Sequence, residues 1–258
     1  MLSCLLFGEK PRFLFVHGSS SSVAVWVPVM KAMAALGESC VAVDLRGHGR
    51  SSGREHLQSY RIQHYVEDVI SVLKEYPSIR TLVGHSMGGL ICQLVASRMR
   101  IGHLILVASS PVGGMLMDGL RMSLRHPVTM MAVFFRRSFA RLYKVPAVAR
   151  SLLFHPDTAD DVVEESLARI QEESWLGGNQ LNWLLPKPGR VTCPVSVIGG
   201  SHDKMVSPAS VSATARAYGV APVFVEGTAH MVPIEAEPQA FAKLLIKCTE
   251  NISDHGLR

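Results

Sequence analysis

No apolar run in these 258 residues approaches the roughly 20 needed to cross a bilayer as a helix. Stretches such as Leu104 to Ala108 and Met130 to Phe135 are far shorter, so no transmembrane segment is expected. Cysteine is scarce and badly placed for cross-linking: Cys4, Cys40, Cys92, Cys193 and Cys248 are an odd number, without CxxC or a neighbouring His pair. Neither a disulfide framework nor a metal site is indicated, and a cytoplasmic location fits best. Met1 to Gly8 is apolar but lacks the basic start and the length of a secretory signal, and reads as a first strand. No repeat, no low-complexity block and no period among the 21 Gly and 14 Pro is present, which excludes collagen-like and linker-rich chains. What is present is 48% hydrophobic and 18% charged residues with a mean hydropathy of +0.22, enough to bury a sizeable core.

One absence is local. Between Gly119 and Arg150 there is no acid, against the bases Arg121, Arg125, Arg136, Arg137, Arg141, Lys144 and Arg150. From Ser151 to Glu173 the pattern inverts: Asp157, Asp160, Asp161, Glu164, Glu165, Glu172 and Glu173 face only Arg169. Such segregation marks solvated helix faces that can pair with one another, or a basic face that meets an acidic partner such as a carrier protein. The formal net charge of +5 is mild, and the basic stretch carries a Met/Phe pattern of buried character and no nucleic-acid motif, so nucleic acid is not an expected partner.

Short apolar runs alternate with helical patterns, the signature of parallel strands joined by crossover helices. The runs are Arg12 to His17, Cys40 to Asp44, Ile79 to Gly84, His103 to Ala108, Pro194 to Gly199 and Pro222 to Glu226. Ile62, Tyr65, Val66, Val69, Val72 and Leu73 recur at helical spacing, and Leu90 to Met99 and Phe241 to Cys248 read similarly. Pro111 to Arg190 is too long for a simple crossover and reads as a helical insertion (111–190) in a core made of 1–110 and 191–258. Its Met115, Met122 and Met130, with Phe134 and Phe135, can line an acyl pocket, or can be ordinary packing.

The residues that carry chemistry follow three of the runs. Gly84-His85-Ser86-Met87-Gly88 matches G-x-S-x-G between a strand and a helix expected from Gly89, a turn that exposes a serine hydroxyl. Gly49-Arg50-Ser51-Ser52-Gly53 matches the same pattern without strand or helix and reads as a loop. A serine hydroxyl needs a base, and His230, in the loop after the last strand, is the candidate. Asp203, also just after a strand, is the carboxylate that would orient it. The developing oxyanion needs backbone donors; the N–H groups of Met87 and of Ser19, after His17-Gly18, are the candidates, with Ser20 as the neighbouring register. His17, His48, His85 and His202 lie in motif loops and read as structural hydrogen-bonders.

The sequence resembles the α/β-hydrolase superfamily over essentially its whole length. The resemblance rests on His17-Gly18 with Trp26 downstream, Asp44-Leu45-Arg46-Gly47-His48-Gly49-Arg50-Ser51, the Gly84 to Gly88 elbow, and the Asp203 and His230 loops in the order Ser, Asp, His. It implies an α/β fold, a mostly parallel central sheet flanked by helices. The same resemblance implies a structural Asp44 to Ser51 loop, and a helical lid between the sixth and seventh strands of the fold that the insertion matches. The expected activity is hydrolysis of a carboxylic ester, of medium acyl length, through Ser86, His230 and Asp203, with a small-molecule ester as substrate and no cofactor. Other activities of the superfamily stay open: a methyl-ester esterase or thioesterase for carrier-bound acyl chains, a monoglyceride or lysophospholipid lipase, and a C–C bond hydrolase or lyase. A non-catalytic ligand sensor also stays open.

Overall fold

The sheet has the order β1-β3-β2-β4-β5-β6-β7 in the computed structural model, which describes residues 1–250. Its strands are β1 (Ser3–Phe7), β2 (Phe13–Val16), β3 (Cys40–Asp44), β4 (Thr81–His85), β5 (His103–Val107), β6 (Val195–Gly200) and β7 (Pro222–Val225). β1 runs antiparallel to β3, and every other pairing is parallel. Each expected apolar run, the N-terminal one included, forms a strand.

Side chains alternate across a strand, so one short run feeds two cores. Leu14 and Val16 of β2 face α2 (Ile62–Glu75) and α3 (Met87–Ala96), while Phe13 and Phe15 face α1 (Val27–Ala35) and α12 (Pro238–Glu250). This double burial explains why β2 to β5 read as continuous apolar runs. In α2 the helical-period residues Ile62, Tyr65, Val66, Val69, Val72 and Leu73 are the buried ones, each large apolar side chain contributing roughly 1.5–3 kcal/mol. The helix expected from Gly89 starts earlier, at Met87, because the chain turns sharply at Ser86 and enters the helix in the next residue.

The stretch 111–190 lies between β5 and β6, the fifth and sixth strands of this seven-stranded sheet. It holds α4 (Leu116–Arg125), α5 (Pro127–Arg136), α6 (Ala140–Tyr143), α7 (Pro146–Leu153), α8 (Asp160–Ala168) and α9 (Trp175–Gln180). Pro127 and Pro146 open α5 and α7, where a missing N–H costs nothing. Met122, Val133, Leu142, Leu152, Leu153, Phe154 and Val163 form a satellite core with Met205 from beyond β6. The chain then re-enters the sheet at β6, crosses to β7 through α10 (Pro208–Ala217), and reaches α12 through the short α11 (Val232–Glu235). Residues 251–258 of the expected 191–258 core lie outside the described residues.

Candidate active site

β4 delivers its last residues into a tight elbow. Ser86 has φ 53° and ψ −119°, a left-handed conformation rare for a residue with a side chain. Three backbone bonds hold it there: its N–H donates to Val107 O (3.1 Å), and its carbonyl accepts from Gly89 N–H and Ser110 N–H (3.0 Å each). The flanking glycines are steric necessities. A Cβ on Gly84 would lie 2.5 Å from Gly88 O, and one on Gly88 would lie 2.4 Å from Val16 O.

Ser86, His230 and Asp203 are brought together in a hydrogen-bonded line. His230 Nε2 is 3.1 Å from Ser86 Oγ, and His230 Nδ1 is 2.8 Å from Asp203 Oδ2. Asp203 Oδ1 accepts the N–H groups of Met205 and Val206, both at 2.8 Å, so the carboxylate is fixed in rotation. The His230 loop is tied down from three sides. His85 Nε2–H donates to the His230 carbonyl (2.9 Å), Met231 N–H to Leu153 O (3.0 Å), and Ala229 N–H to Glu235 Oε2 (2.7 Å).

The turn after β2 lies against the elbow, since a Cβ on Gly18 would come within 3.0 Å of Ser86 Cβ. Among the described residues the Ser19 N–H meets no acceptor, whereas the Ser20 N–H is committed to Glu173 Oε2 at 3.2 Å. Ser20 itself has φ 58°. Met87 is the first residue of α3, so its N–H has no partner within the helix.

The remaining motif histidines are held by neighbours. His17 donates from Nδ1 to Gly18 O (2.8 Å) and accepts Leu45 N–H at Nε2 (3.1 Å); burial, then the nearby charge of His48, push it down to about 4. His85 packs its ring 4.9 Å from that of His230, and burial, reinforced by His230, pushes it down to about 3, so it is neutral. His202 contacts Ser201 Oγ through Nδ1 and packs edge-on against His155. Ser51, in the second pattern match, donates its hydroxyl to Asp44 O inside its own loop. Asp44 in turn accepts Val23 N–H and Arg50 N–H, which makes that loop a brace.

His48 leads to a residue that the sequence did not single out. Its Nε2 lies 3.2 Å from Glu173 Oε2, while Nδ1–H faces Arg46 O at 3.2 Å. Glu173 Oε1 accepts Tyr65 OH (2.8 Å) and Ser174 N–H (2.7 Å). Burial opposes both charges, yet the pair overcomes it: Glu173 is held below the usual carboxylate range by the His48 charge and these donors, and His48 is raised by Glu173. Two residues earlier, Gln171 N–H donates to Ser20 O (2.9 Å) and Gln171 Nε2 to Ser21 O (3.2 Å). The end of the insertion therefore grips the turn beside Ser86 through both its N–H and C=O groups. Nothing in the sequence distinguishes Glu173 from the other acids of its run.

Ser86 and His230 open onto a cavity of about 890 Å3 between the sheet and the insertion. Of the five expected lining residues, Met115, Met122, Met130 and Phe134 line it. Phe135 does not: it is 73% exposed on the outside of α5. Consecutive helical residues diverge by about 100°, so Phe134 and Phe135 cannot both face inward. Tyr143, Phe154 and Trp175 complete the wall, and the buried hydroxyls of Ser20 and Ser110 and the Nδ1 of His85 are its unpaired polar points among the described residues. Among the described residues no group of His, Cys, Asp and Glu side chains is arranged to hold a metal ion.

Comparison with known proteins bears on the whole arrangement. The sequence model of the alpha/beta hydrolase family matches residues 13–244. An esterase of Mycobacterium tuberculosis is 37% identical over 107 residues, 40% of this chain and 35% of the esterase. Protein ABHD8 of Bos taurus is 26% identical over 203 residues, 74% of this chain and 45% of its own length. The chain thus spans less than half the length of these curated relatives. A thermophilic esterase from Thermogutta terrifontis superimposes with a TM-score of 0.75 at 18% identity, covering 97% of this chain and 93% of that one, a likeness of fold. With the family model spanning β2 to β7, the elbow and the His230 loop, the chain belongs to the alpha/beta hydrolase family.

Proposed function

We propose that the protein is a serine hydrolase of carboxylic esters that works through an acyl-enzyme on Ser86. The observation that carries this reading is the Ser86–His230–Asp203 line at the floor of a largely apolar cavity. His230 Nε2 takes the Ser86 proton as Oγ attacks the ester carbonyl, and Asp203 keeps Nδ1 protonated and stabilises the imidazolium. The oxyanion is received by the Ser19 and Met87 N–H groups, which need no reorganisation because the elbow and the turn are already fixed. His230 then gives its proton to the departing alkoxide, and in the second half it activates the water that releases the acid.

The insertion acts as a lid, with Met115, Met122, Met130 and Phe134 against the acyl chain and the Ser20 and Ser110 hydroxyls offering polar contacts. The esterase among the relatives supports an ester over a carbon–carbon bond. All five cysteines are unbridged, which supports a reducing compartment such as the cytoplasm. The test is a panel of soluble esters of graded acyl length with wild type and Ser86→Ala. Turnover by wild type and its loss in a folded Ser86→Ala protein is the expected result; a Ser86→Ala protein with substantial turnover overturns the reading.

A further inference from the structure

The outer surface of α4 and α5 carries more exposed apolar side chains than a monomer ordinarily shows in one place. On α4, Leu116, Leu120 and Leu124 recur at i, i+4 and i+8 and all are exposed; on α5, Val128, Met131 and Phe135 recur at i, i+3 and i+7 and are exposed too. Leu124, Val128 and Phe135 are 75%, 80% and 73% exposed. An ordinary amphipathic helix turns such a stripe toward the core, and these two turn it outward.

The stripe also has a position. Leu116, Leu120, Phe134 and Trp183 are at once exposed and part of the cavity wall, so they form the rim of a mouth that leads to Ser86. The same helices and the adjoining α6 carry Arg125, Arg136, Arg137, Arg141 and Lys144, none with a carboxylate in ion-pair range among the described residues. Arg136, Arg137 and Arg141 share a cleft with Glu172, which leaves that cleft positive. Arg121 is already paired with the buried Asp118.

We propose that the α4–α5 face docks on an anionic lipid surface, with the cavity mouth toward the lipid, so that the ester substrate is a lipid taken from that surface. Apolar side chains at the level of the acyl boundary, with arginines beside them, suit a helix lying in the interface plane. Long basic stems can run along the apolar stripe while their heads meet lipid phosphates. A lipid surface meets the bases with phosphates, meets the uncovered Leu124, Val128 and Phe135 with acyl chains, and supplies the ester that enters the mouth. The substrate half of the proposal rests on the ester hydrolase reading, and the docking half does not.

Flotation of the full chain carrying Ser86→Ala, with vesicles of phosphatidylcholine alone or mixed with phosphatidylglycerol, reads docking without turnover. Binding to the anionic vesicles that fades with salt is expected. Reversing Arg136, Arg137 and Arg141 to Glu should weaken it by about fivefold or more for each charge. Leu124→Asp with Val128→Asp and Phe135→Asp should lower binding at least ~10-fold, while an otherwise wild-type enzyme keeps its rate on a soluble ester, because none of these residues lines the cavity. Phe135→Ala alone serves if the triple variant does not fold. No binding to anionic vesicles overturns the proposal. So does sedimentation showing that a second copy covers the face, or salt-sensitive binding to an acidic acyl carrier protein with none to vesicles. A wild type that hydrolyses soluble esters without docking overturns this proposal alone; a Ser86→Ala protein that still hydrolyses them overturns the ester hydrolase reading alone.

Discussion

β2, β3, β4 and β5 bury every residue they contain, whereas α4 and α5, ten residues each, bury only Asp118, Met122 and Val133. The sheet satisfies its polar backbone in the ladder and packs both faces, so positions at its ends are fixed by many neighbours at once. The insertion packs through a satellite core and leaves much of its surface apolar and uncovered. The Ser86–His230–Asp203 geometry is therefore set on the first region, and the volume, rim and exposed surface of the cavity on the second. The two meet where Gln171 and Glu173 grip Ser20.

The largest effects are expected at the site itself. On the proposed reaction His230→Ala should lower kcat on a soluble ester by on the order of 10^6, and Asp203→Asn by about 10^4, with thermal unfolding little changed. A near-native rate for either would move the chemistry off the strand ends.

Next in size is the contact between the regions. Glu173→Gln should destabilise the protein by about 3 kcal/mol, because it leaves a buried His48 without its counter-charge. It should also lower kcat, because the Ser20 N–H loses a charged acceptor. The pH dependence has a definite sign. Glu173 is depressed, so its contribution is complete above the ordinary glutamate value near ~4.3 and is lost as pH falls from there. His48 is raised, so its contribution is complete below the ordinary histidine value near ~6.5 and is lost as pH rises through its folded value. The difference in unfolding free energy between wild type and Glu173→Gln, followed by urea titration, should be greatest between those two values. A pH-independent difference would mean that the pair is not ionised.

Two glycine substitutions sharpen the contrast with smaller effects. Gly88→Ala drives a methyl into Val16 O, a backbone atom that cannot yield, and should cost about 1–3 kcal/mol. Gly119→Ala, within α4 and with nothing within 4 Å of its Cβ position, should add up to about 1 kcal/mol through helix propensity. Denaturant midpoints moving in the same direction would erase the distinction.

The parts that sequence made legible are those where one local pattern has one physical meaning. Short runs such as Cys40 to Asp44 are apolar because both their faces are buried, and Gly84 and Gly88 mark the elbow because only glycine permits the approach. Glu173 was not legible because its role comes from Tyr65 and His48, more than a hundred residues upstream, and a charge in an acidic run looks solvated. Phe135 was misplaced because a Met/Phe-rich stretch does not say which side of a helix is wet. Ser19 and Ser20 could be told apart only by the contact that occupies the Ser20 N–H.

His85 has a consequence in rate. On the proposed reaction its neighbour His230 acquires a positive charge as the ester carbonyl is attacked, with the two ring centroids 4.9 Å apart. A second charge at that separation would repel the first by on the order of 3 kcal/mol at an effective dielectric of about 20. That corresponds to roughly a hundredfold slower turnover. Burial that holds His85 uncharged, with its Nε2–H spent on the His230 carbonyl, spares the barrier this repulsion throughout the neutral and mildly acidic range.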